Sequence, residues 1–455
     1  AVLKREIIRP PEHLYPPDEW RVVEARWAAA TPARAETVFA LSNGYLGIRG
    51  TMDEGRPAFG PGTFVNGFHE TWPIVHPEEA FGLARTGPTM VHLPDATVVE
   101  LFVDDEPLFL PTAHLREYAR VLDMRNGTLT RDLLWTTPAG KHVRVRSSRL
   151  VSLEHRHVAA MSLEVTVDRP AAVVIVSRLT EASERRNAPG PDPRLGRKLD
   201  GRVLRNVLAE GSGGRALLGY RTDRSGMTLA IGLDHAVHAA GPNDMTTSCR
   251  PEETAVTLAV DAKPGVPIRL VKYVTYQTSR EVAPGRLAEQ CVRTLDRVKG
   301  DGFDALLETQ RRNLDRFWDR ADIVVEASRL PKPQPMLKTA WIKKGALVVP
   351  YGTMSAVELS LTDIMDKMVV DDWGQCRKGL PFGALRQHVD SDRLTEDNLH
   401  AELGQIVAGL KPGRERDDET ILFWHRGLST SDIALGHALL VKARRESVGQ
   451  TLRFA

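Results

Sequence analysis

The residues of this 455-residue chain whose types and spacing could best do chemistry lie in "NGFHETWPIVHPEEAFG", Asn66 to Gly82. Phe68, Trp72 and Phe81 are interleaved there with His69, Glu70, His76, Glu78 and Glu79. An aromatic face can stack on a sugar ring while a neighbouring carboxylate or imidazole hydrogen-bonds its hydroxyls. On this ground Phe68, His69, Glu70 and Trp72 are the candidate substrate-binding residues. A long loop anchored by its aromatics fits the same pattern, and the residues alone favour that plainer alternative.

Other constellations carry less. "GSGGRA", Gly211 to Ala216, has the glycines of a phosphate loop, but such a loop joins a buried strand to a helix N-terminus. Here the chain runs on into another strand, so a hairpin loop is expected. The acidic pairs Asp104/Asp105, Asp371/Asp372 and Asp417/Asp418 sit in turns or at strand ends. A carboxylate pair for glycoside chemistry is defined by its separation in space, which spacing along the chain does not supply. Cys249, Cys291 and Cys376 are far apart and form no C-x-x-C pair, which indicates reduced packing residues and neither a disulfide framework nor a zinc site. No catalytic, cofactor-binding or metal-ligating residue is assigned.

The elements that must position these residues come in three textures. Up to about Thr278 the chain shows short β-type runs broken by turn signals, as in "TVVELFVDDEPLFL", with Asp104-Asp105-Glu106-Pro107 as its reversal, and "GKHVRVRSSRLVS", where Val143 and Val145 alternate with Arg144 and Arg146. These predict a large antiparallel β-sandwich over 1–280. "FALSNGYLGIRGTMDEG", Phe39 to Gly55, fits its entry: Asn43-Gly44 suits a tight reversal, and Gly47 and Gly50 suit a close backbone crossing. Leu287, Cys291, Leu295 and Val298, then Phe303, Leu306, Leu307, Leu314 and Phe317, have helical spacing on either side of Gly300-Asp301-Gly302. They predict two helices in a linker over 281–326. The proline-rich run "SRLPKPQP" marks a junction at 327–336. Beyond it, "GALVVPYG" and "ETILFWHRGLS" read as strands, "SLTDIMDKMVVDDWGQC" as a helix then a strand, and "EDNLHAELGQIVAGLKPG" and "STSDIALGHALLVKARRESVG" as helices. The expectation for 337–455 is a partial α/β, Rossmann-like segment.

With 61 Lys+Arg against 59 Asp+Glu, no overall field draws the chain to nucleic acid or an anionic membrane, so a small or neutral partner is expected. No apolar run is long enough to span a bilayer, and "AVLKREIIRPPEHLYPP" has no signal-peptide core, so a cytoplasmic location is expected. Asn126-Gly127-Thr128 then reads as a turn.

"ETVFALSNGYLGIRGTMDEG", "GTFVNGFHETWPIVHPEEAFGLARTG", "LFVDDEPL" and "LDMRNGTLTRDLLW" closely resemble the N-terminal domain of glycoside hydrolase family 65, over about residues 8–326. That family includes maltose, trehalose and kojibiose phosphorylases and related trehalose hydrolases. The resemblance implies an α-linked disaccharide as partner, with a barrel of paired helices following the sandwich. There a glutamate acts as general acid, and inorganic phosphate as co-substrate, or an activated water, attacks the anomeric carbon. The segments after Glu326 do not read as such a barrel, so no general acid is named, and inactivity of the chain alone is expected. From about Pro331, "AWIKKGALVVPYG", "VVDDWGQC" and "AELGQIVAGLKPGRERDDETILFWHRGLSTSDIALGHALL" are similar to the C-terminal portion of the ornithine cyclodeaminase/mu-crystallin family, particularly its tyramine oxidase accessory members. Complete members bind NAD at a glycine-rich turn that would lie where this chain has its sandwich, and their "GGD"-like turn is Pro350-Tyr351-Gly352-Thr353 here. NAD is therefore a cofactor only under the alternative that function resides in this end. A non-catalytic module for sugar binding or homodimer contacts is the third alternative. A natural fusion, an artificial joining and an error of sequence assembly fit the two-part chain equally. "GALVVP" and "KMVV" are expected to lack flanking parallel strands, leaving an open apolar edge, with first proteolysis between Glu326 and Met336.

Overall fold

The computed structural model describes residues 11–28, 32–60, 62–74, 83–180, 203–250, 253–319, 322–327, 335–351, 356–378, 383–427, 429–446 and 448. His76, Glu78, Glu79, Phe81 and most of the proline-rich run lie outside them. The chain divides into two units, Ala1–Leu314 and Asp315–Ala455.

In the first unit a nine-stranded antiparallel sheet runs in the order Arg21–Glu24, His114–Asp123, Thr128–Thr136, His142–Val151, Val158–Val167, Ile268–Ser279, Thr228–His238, Arg215–Thr222, Leu204–Ser212. A five-stranded antiparallel sheet runs Asn243–Cys249, Glu253–Ala262, Ala171–Thr180, Val99–Val103, Glu106–Pro107. Strand alternation sends one set of side chains to the interior between them. Val143 and Val145 point inward with Leu133, Leu163 and Leu270, against Leu101, Val103, Val173, Ile175 and Leu258 of the smaller sheet. This is the expected sandwich. "GSGGRA" is a hairpin, with Gly213 and Gly214 at φ +58° and +84°, and Asp104 and Asp105 take φ 50° and 64° in the reversal after Val103. Glu106 and Pro107 already belong to the return strand.

The middle of the large sheet is buried on its outer face as well, because the helix Pro284–Asp301 lies on it. Leu295 and Val298 pack with Val158, Ala160, Val271 and Tyr273, and Leu287 and Cys291 with Ala230. Each such burial contributes roughly 1.5–3 kcal/mol. A Cβ on Gly232 would come within 2.9 Å of Cys291 and Leu295, so the helix can approach this closely only over a glycine. Gly302, at φ +85°, ends the helix and donates its N–H to Val298 O. The helix Phe303–Asp319 follows. Buried Gln310 fastens it to the sheet, donating to Val151 O (3.2 Å) and Gly127 O (3.3 Å) and accepting from Leu153 N–H (2.9 Å).

The second unit is an all-parallel five-stranded sheet in the order Ile323–Glu326, Leu347–Pro350, Ile421–Trp424, Lys367–Val370, Ala401–Glu402. This corrects the expectation that "GALVVP" and "KMVV" lack neighbours: each lies between two parallel strands. One of those neighbours, Ile323–Glu326, reads in sequence as the end of the helical linker, yet Ile323 pairs with Leu347 and Glu326 with Pro350. Two helix expectations also change. Residues Leu359–Ile364 form only a 3-10 turn before the strand Lys367–Val370. Within "EDNLHAELGQIVAGLKPG", Ala401–Glu402 pair with Val369 and Val370, and only Leu403–Val407 form a helix behind the Glu402 cap. The core of this unit gathers Leu361, Val370, Trp373, Leu385, Leu394, Leu422 and Trp424.

The pairing sets a prediction about where this unit begins. A fragment starting at Asp315 retains Ile323–Glu326 and is expected to be recovered soluble with a cooperative thermal transition. A fragment starting at Pro335 bares the edge of Leu347–Pro350 and is expected to aggregate. Equal solubility of the two would show that the edge strand is dispensable.

Candidate functional site

The four candidates Phe68, His69, Glu70 and Trp72 come together in one hairpin, His69–Pro73 paired with Thr86–Met90. Phe68, 1% exposed, is a member of the sandwich core. Trp72 is 7% exposed, donates Nε1–H to Thr89 Oγ1 at 3.2 Å, and lies flat over Gly87, where a Cβ would meet the indole at 2.7 Å. Glu70 is 2% exposed, and its carboxylate accepts backbone N–H groups from Thr71, Arg224 and Ser225 at 2.7, 2.9 and 2.7 Å. Burial acts to raise its pKa, and the backbone donors from Arg224, Thr71 and Ser225 outweigh it, holding the group below the ordinary carboxylate value. His69 places Nδ1 2.9 Å from Gly67 O. In this structure the indole face packs against the hairpin's own backbone and the carboxylate clasps the turn at Arg224–Ser225.

The opening segment leads to a second grouping. Asn43 Oδ1 accepts from the N–H groups of Tyr45 and Leu46, its Nδ2 donates to Ser152 O and Arg156 O, and Gly44 takes φ +86°. A Cβ on Gly50 would stand 2.6 Å from the Phe39 backbone, so this glycine does serve a close backbone crossing. The chain is thereby turned inward, and "TMDEG" delivers two carboxylates into the sandwich. Glu54 takes a bidentate pair from Arg131, Nη1 to Oε2 at 2.8 Å and Nη2 to Oε1 at 2.6 Å. Asp53 pairs with Arg131 (2.9 Å) and Arg149 and accepts from Ser147 Oγ at 2.5 Å. All four charged side chains are buried. Burial pushes Asp53 up, but Arg131, Arg149 and Ser147 together hold it well below the carboxylate range. Arg120 completes the crossing, donating to Gly50 O (2.5 Å) and Thr51 O (3.2 Å) with its guanidinium 4.6 Å from the Phe39 ring centre.

Two further buried groups titrate abnormally. Lys272 reaches across the interior to donate to Arg178 O (2.8 Å) and Val98 O (3.1 Å). Burial lowers its pKa to about 7, with Asp95 opposing and Arg149 adding to the shift. His235 donates Nδ1–H to Gly214 O (2.6 Å) and takes Ser177 Oγ at Nε2 (2.7 Å). Burial, and then Lys272, lower its pKa to about 4.

At the edge of the smaller sheet formed by Glu106–Pro107, a groove of about 490 Å³ is lined by Glu54, Arg56, Glu100, Phe102, Phe109 and Thr112 among others. Its residues escape sequence reasoning, although "LFVDDEPLFL" carries a signal: Phe102 and Phe109 flank an acidic turn. In the second unit, Tyr351, Asp371 and His425 follow the carboxyl ends of three parallel strands, where open α/β sheets bind ligands. Asp371 Oδ2 accepts from the N–H groups of Arg426 and Gly427, both at 2.7 Å, and stands 3.1 Å from His425 Nδ1. The His425 ring stacks with those of Tyr351 and Phe423, at 5.2 and 5.3 Å between centres. Among the described residues no three His, Cys, Asp or Glu side chains gather to hold a metal, and no helix is long and apolar enough to cross a membrane.

Two outcomes follow from the buried charges. Glu54→Gln is expected to cost about 3–5 kcal/mol, because it leaves a buried guanidinium short of charge, whereas Glu117→Gln at an exposed Arg144 pair should cost under about 1 kcal/mol. Denaturant midpoints of the two variants test this. For Lys272, the unfolded chain binds a proton between pH 10.5 and about 7 that the folded chain does not. Stability should therefore fall as pH is lowered through that window and receive no further change from this group below it. Lys272→Met is expected to flatten that slope, as read from melting temperature against pH.

Residues 22–317, more than half of the chain, match the family model described as glycosyl hydrolase family 65, N-terminal domain. Residues 285–447 match the ornithine cyclodeaminase/mu-crystallin family, so the two matches overlap over residues 285–317, most of the two helices after the sandwich. The chain is 31% identical over 323 residues to an alpha,alpha-trehalose phosphorylase of Thermoanaerobacter brockii, covering 70% of this chain and 41% of that one. Its later part is 37% identical over 119 residues to an N-((2S)-2-amino-2-carboxyethyl)-L-glutamate dehydrogenase of Staphylococcus aureus, covering 26% and 34% of the two chains. A solved structure of a candidate kojibiose phosphorylase from the human microbiome superposes with a TM-score of 0.59 at 18% identity, over 69% of this chain and 40% of that one. The chain spans 40% of the length of the curated mycobacterial glycosyl hydrolases it matches. With the signature turn, the sandwich and its helical appendage all accounted for by one family model, this chain belongs to glycosyl hydrolase family 65 through its N-terminal domain.

Proposed function

We propose that this chain is a carbohydrate-active protein of the α-glucoside phosphorylase or hydrolase type that does not cleave glycosidic bonds by itself. The observation that carries this reading is the parallel sheet formed by the described residues of Asp315–Ala455. It occupies the part of the chain where the family resemblance leads one to expect a barrel of paired helices bearing the general acid. Without that acid the leaving oxygen is not protonated, and a factor of about 10²–10⁴ in rate is lost from this term alone. The purified chain is expected to show no turnover of trehalose, maltose or kojibiose, with or without inorganic phosphate. Release of glucose or glucose phosphate at rates above about 1 s⁻¹, within the range of ordinary enzymes, would overturn the proposal.

A second reading assigns the function to the Asp315–Ala455 unit as an NAD-dependent cyclodeaminase-like or accessory protein. The supporting observation is the cluster of Tyr351, Asp371 and His425 at the carboxyl edge of the sheet. Against it, no described strand of this sheet leads through a glycine-rich turn into a helix, the arrangement that holds a dinucleotide pyrophosphate. Titration with NADH, followed by nicotinamide fluorescence, is expected to show no saturable binding. A micromolar dissociation constant would move the function to this unit.

A further inference from the structure

The unit Asp315–Ala455 leaves two apolar surfaces uncovered, and the first follows from its strand register. In a parallel ladder residues at one level point to the same face, so Ile323, Leu347 and Ile421 share a face with Val325, Val349 and Phe423. The opposite face carries Val370, Leu422 and Trp424 into the core of the unit. At one end of the first face Lys367 and Val369 are buried, with Lys367 held by Gly413 O, Glu415 and Glu419. The other end is open: Ile323 is 63% and Val325 59% exposed, and Leu347, Val349 and Phe423 are half-buried. Parallel sheets are ordinarily covered on both faces.

The second surface is the helix Ser429–Arg445, which follows the central strand Ile421–Trp424 after a four-residue link. From Asp432 to Arg445 every side chain but that of half-buried Ala443 is exposed, and Ile433, Leu435, Leu439, Leu440 and Val441 are 47–72% exposed. Successive residues advance by about 100° around a helix, so Ile433 and Leu440 stand on one side, Leu435 and Leu439 on another and Val441 on a third. A helix apolar on all sides belongs in an interior, yet its own chain covers none of these five.

We infer that the two surfaces cover one another between two copies of this chain. The helix Ser429–Arg445 of each copy lies on the open sheet face of the other, and the two helices run antiparallel, side by side, across a two-fold axis. A second copy is the occupant that fits on three counts. Helix and sheet face occur in the same unit and each supplies what the other lacks, so exchange of the helix closes both surfaces in one symmetric step. The helix has Asp432 in its first turn and Lys442, Arg444 and Arg445 in its last, and an antiparallel neighbour sets each acidic start beside the other's basic end, with the helix dipoles opposed. At about 100 Å² for each large apolar residue exposed to this degree, Ile323, Val325 and the five helix residues offer roughly 700 Å² per copy, or about 1,400 Å² in the pair, within the ~1,200–2,000 Å² of stable interfaces. The function proposed for the chain does not enter this inference.

Sedimentation equilibrium of the full chain at micromolar concentration is expected to give the mass of a dimer. Leu435→Asp with Leu439→Asp, and separately Ile323→Lys with Val325→Lys, should each weaken dimerisation by about tenfold or more. Val207→Asp, exposed on the edge strand Leu204–Ser212 of the large sheet, should leave it unchanged. All of these side chains are exposed in the single chain, and melting temperatures show that each variant is folded. Cysteine cross-linking reads the geometry without disrupting it: a Val325→Cys chain mixed with a Leu439→Cys chain should form a disulfide-linked pair under mild oxidation, while the parent chain and Val325→Cys alone form none. A monomer, a dimer unaffected by both double variants, or a Val325→Cys chain that links only to itself overturns the inference. So does an open-ended series of larger species, which would show the surfaces meeting head to tail and not across a two-fold axis.

Discussion

The first unit depends on one buried set of charges, the clasp of Asp53 and Glu54 by Arg131 and Arg149. The two arginines belong to neighbouring strands of the large sheet, and the carboxylates arrive on a segment that is not part of that sheet. Removing four charges from water is expensive, and their mutual attraction offsets that cost only when the hydrogen bonds are nearly complete. The bidentate Glu54–Arg131 geometry and the Ser147 hydroxyl on Asp53 supply part of that bonding, while Arg131 Nε and Arg149 Nη1 stay buried without a partner, so the clasp contributes less to stability than to placement. The result is specificity of position: an apolar segment could slide along the sandwich interior, whereas two carboxylates facing two guanidiniums have one register. The Asn43 turn, the Gly50 crossing and the Arg120 donations to Gly50 and Thr51 all serve to bring the segment to that place.

Glycine has a second use where the helix Pro284–Asp301 meets the sheet. Cys291 and Leu295 approach Gly232 so closely that any side chain there would have to displace them. Burial on both faces turns the central strands into near-continuous apolar runs, as in "MTLAIGL", Met227 to Leu233. Lys272 and His235 are among the exceptions within those strands, beside Asp234, which pairs with Arg215 and Lys299, and each of the two directs its polar atoms to a carbonyl or hydroxyl of a neighbouring segment. Their lowered pKa values are the mark of that placement.

Much of the sandwich is legible from sequence because its signals are local. The alternation of Val143 and Val145 with arginines, the Asn43-Gly44 reversal and the helix break at Gly302 each reside within a few residues. The charge clasp is not legible, since Glu54 and Arg131 are 77 residues apart and Asp53 and Arg149 are 96 apart. Glu70 stands out among aromatics in sequence, but its partners at Arg224 and Ser225 lie 154 and 155 residues away, so nothing local distinguishes a substrate-facing carboxylate from one tied to backbone. Ile323–Glu326 is hidden for another reason. It is only four residues long, begins four residues after the last residue of a helix and precedes a proline-rich run, so its β character has no length over which to show. Ala401–Glu402 stand among good helix formers, and only the ladder to Val369 and Val370 makes them a strand.

The parallel sheet has a consequence for the order in which the chain is made. Its central strand, Ile421–Trp424, is the last of the five to leave the ribosome, yet both Leu347–Pro350 and Lys367–Val370 pair with it. Until it appears, Ile323–Glu326 can pair only with Leu347–Pro350, and Lys367–Val370 only with Ala401–Glu402, as two separate ribbons. Each then shows an unpaired apolar edge to solvent or to a chaperone for the time needed to synthesise the segment up to Trp424. At about 5–20 residues per second, the roughly 75 residues from Leu347 to Ile421 take on the order of 4–15 s. The sandwich has all its strands well before that, so the vulnerable interval belongs to the parallel sheet alone.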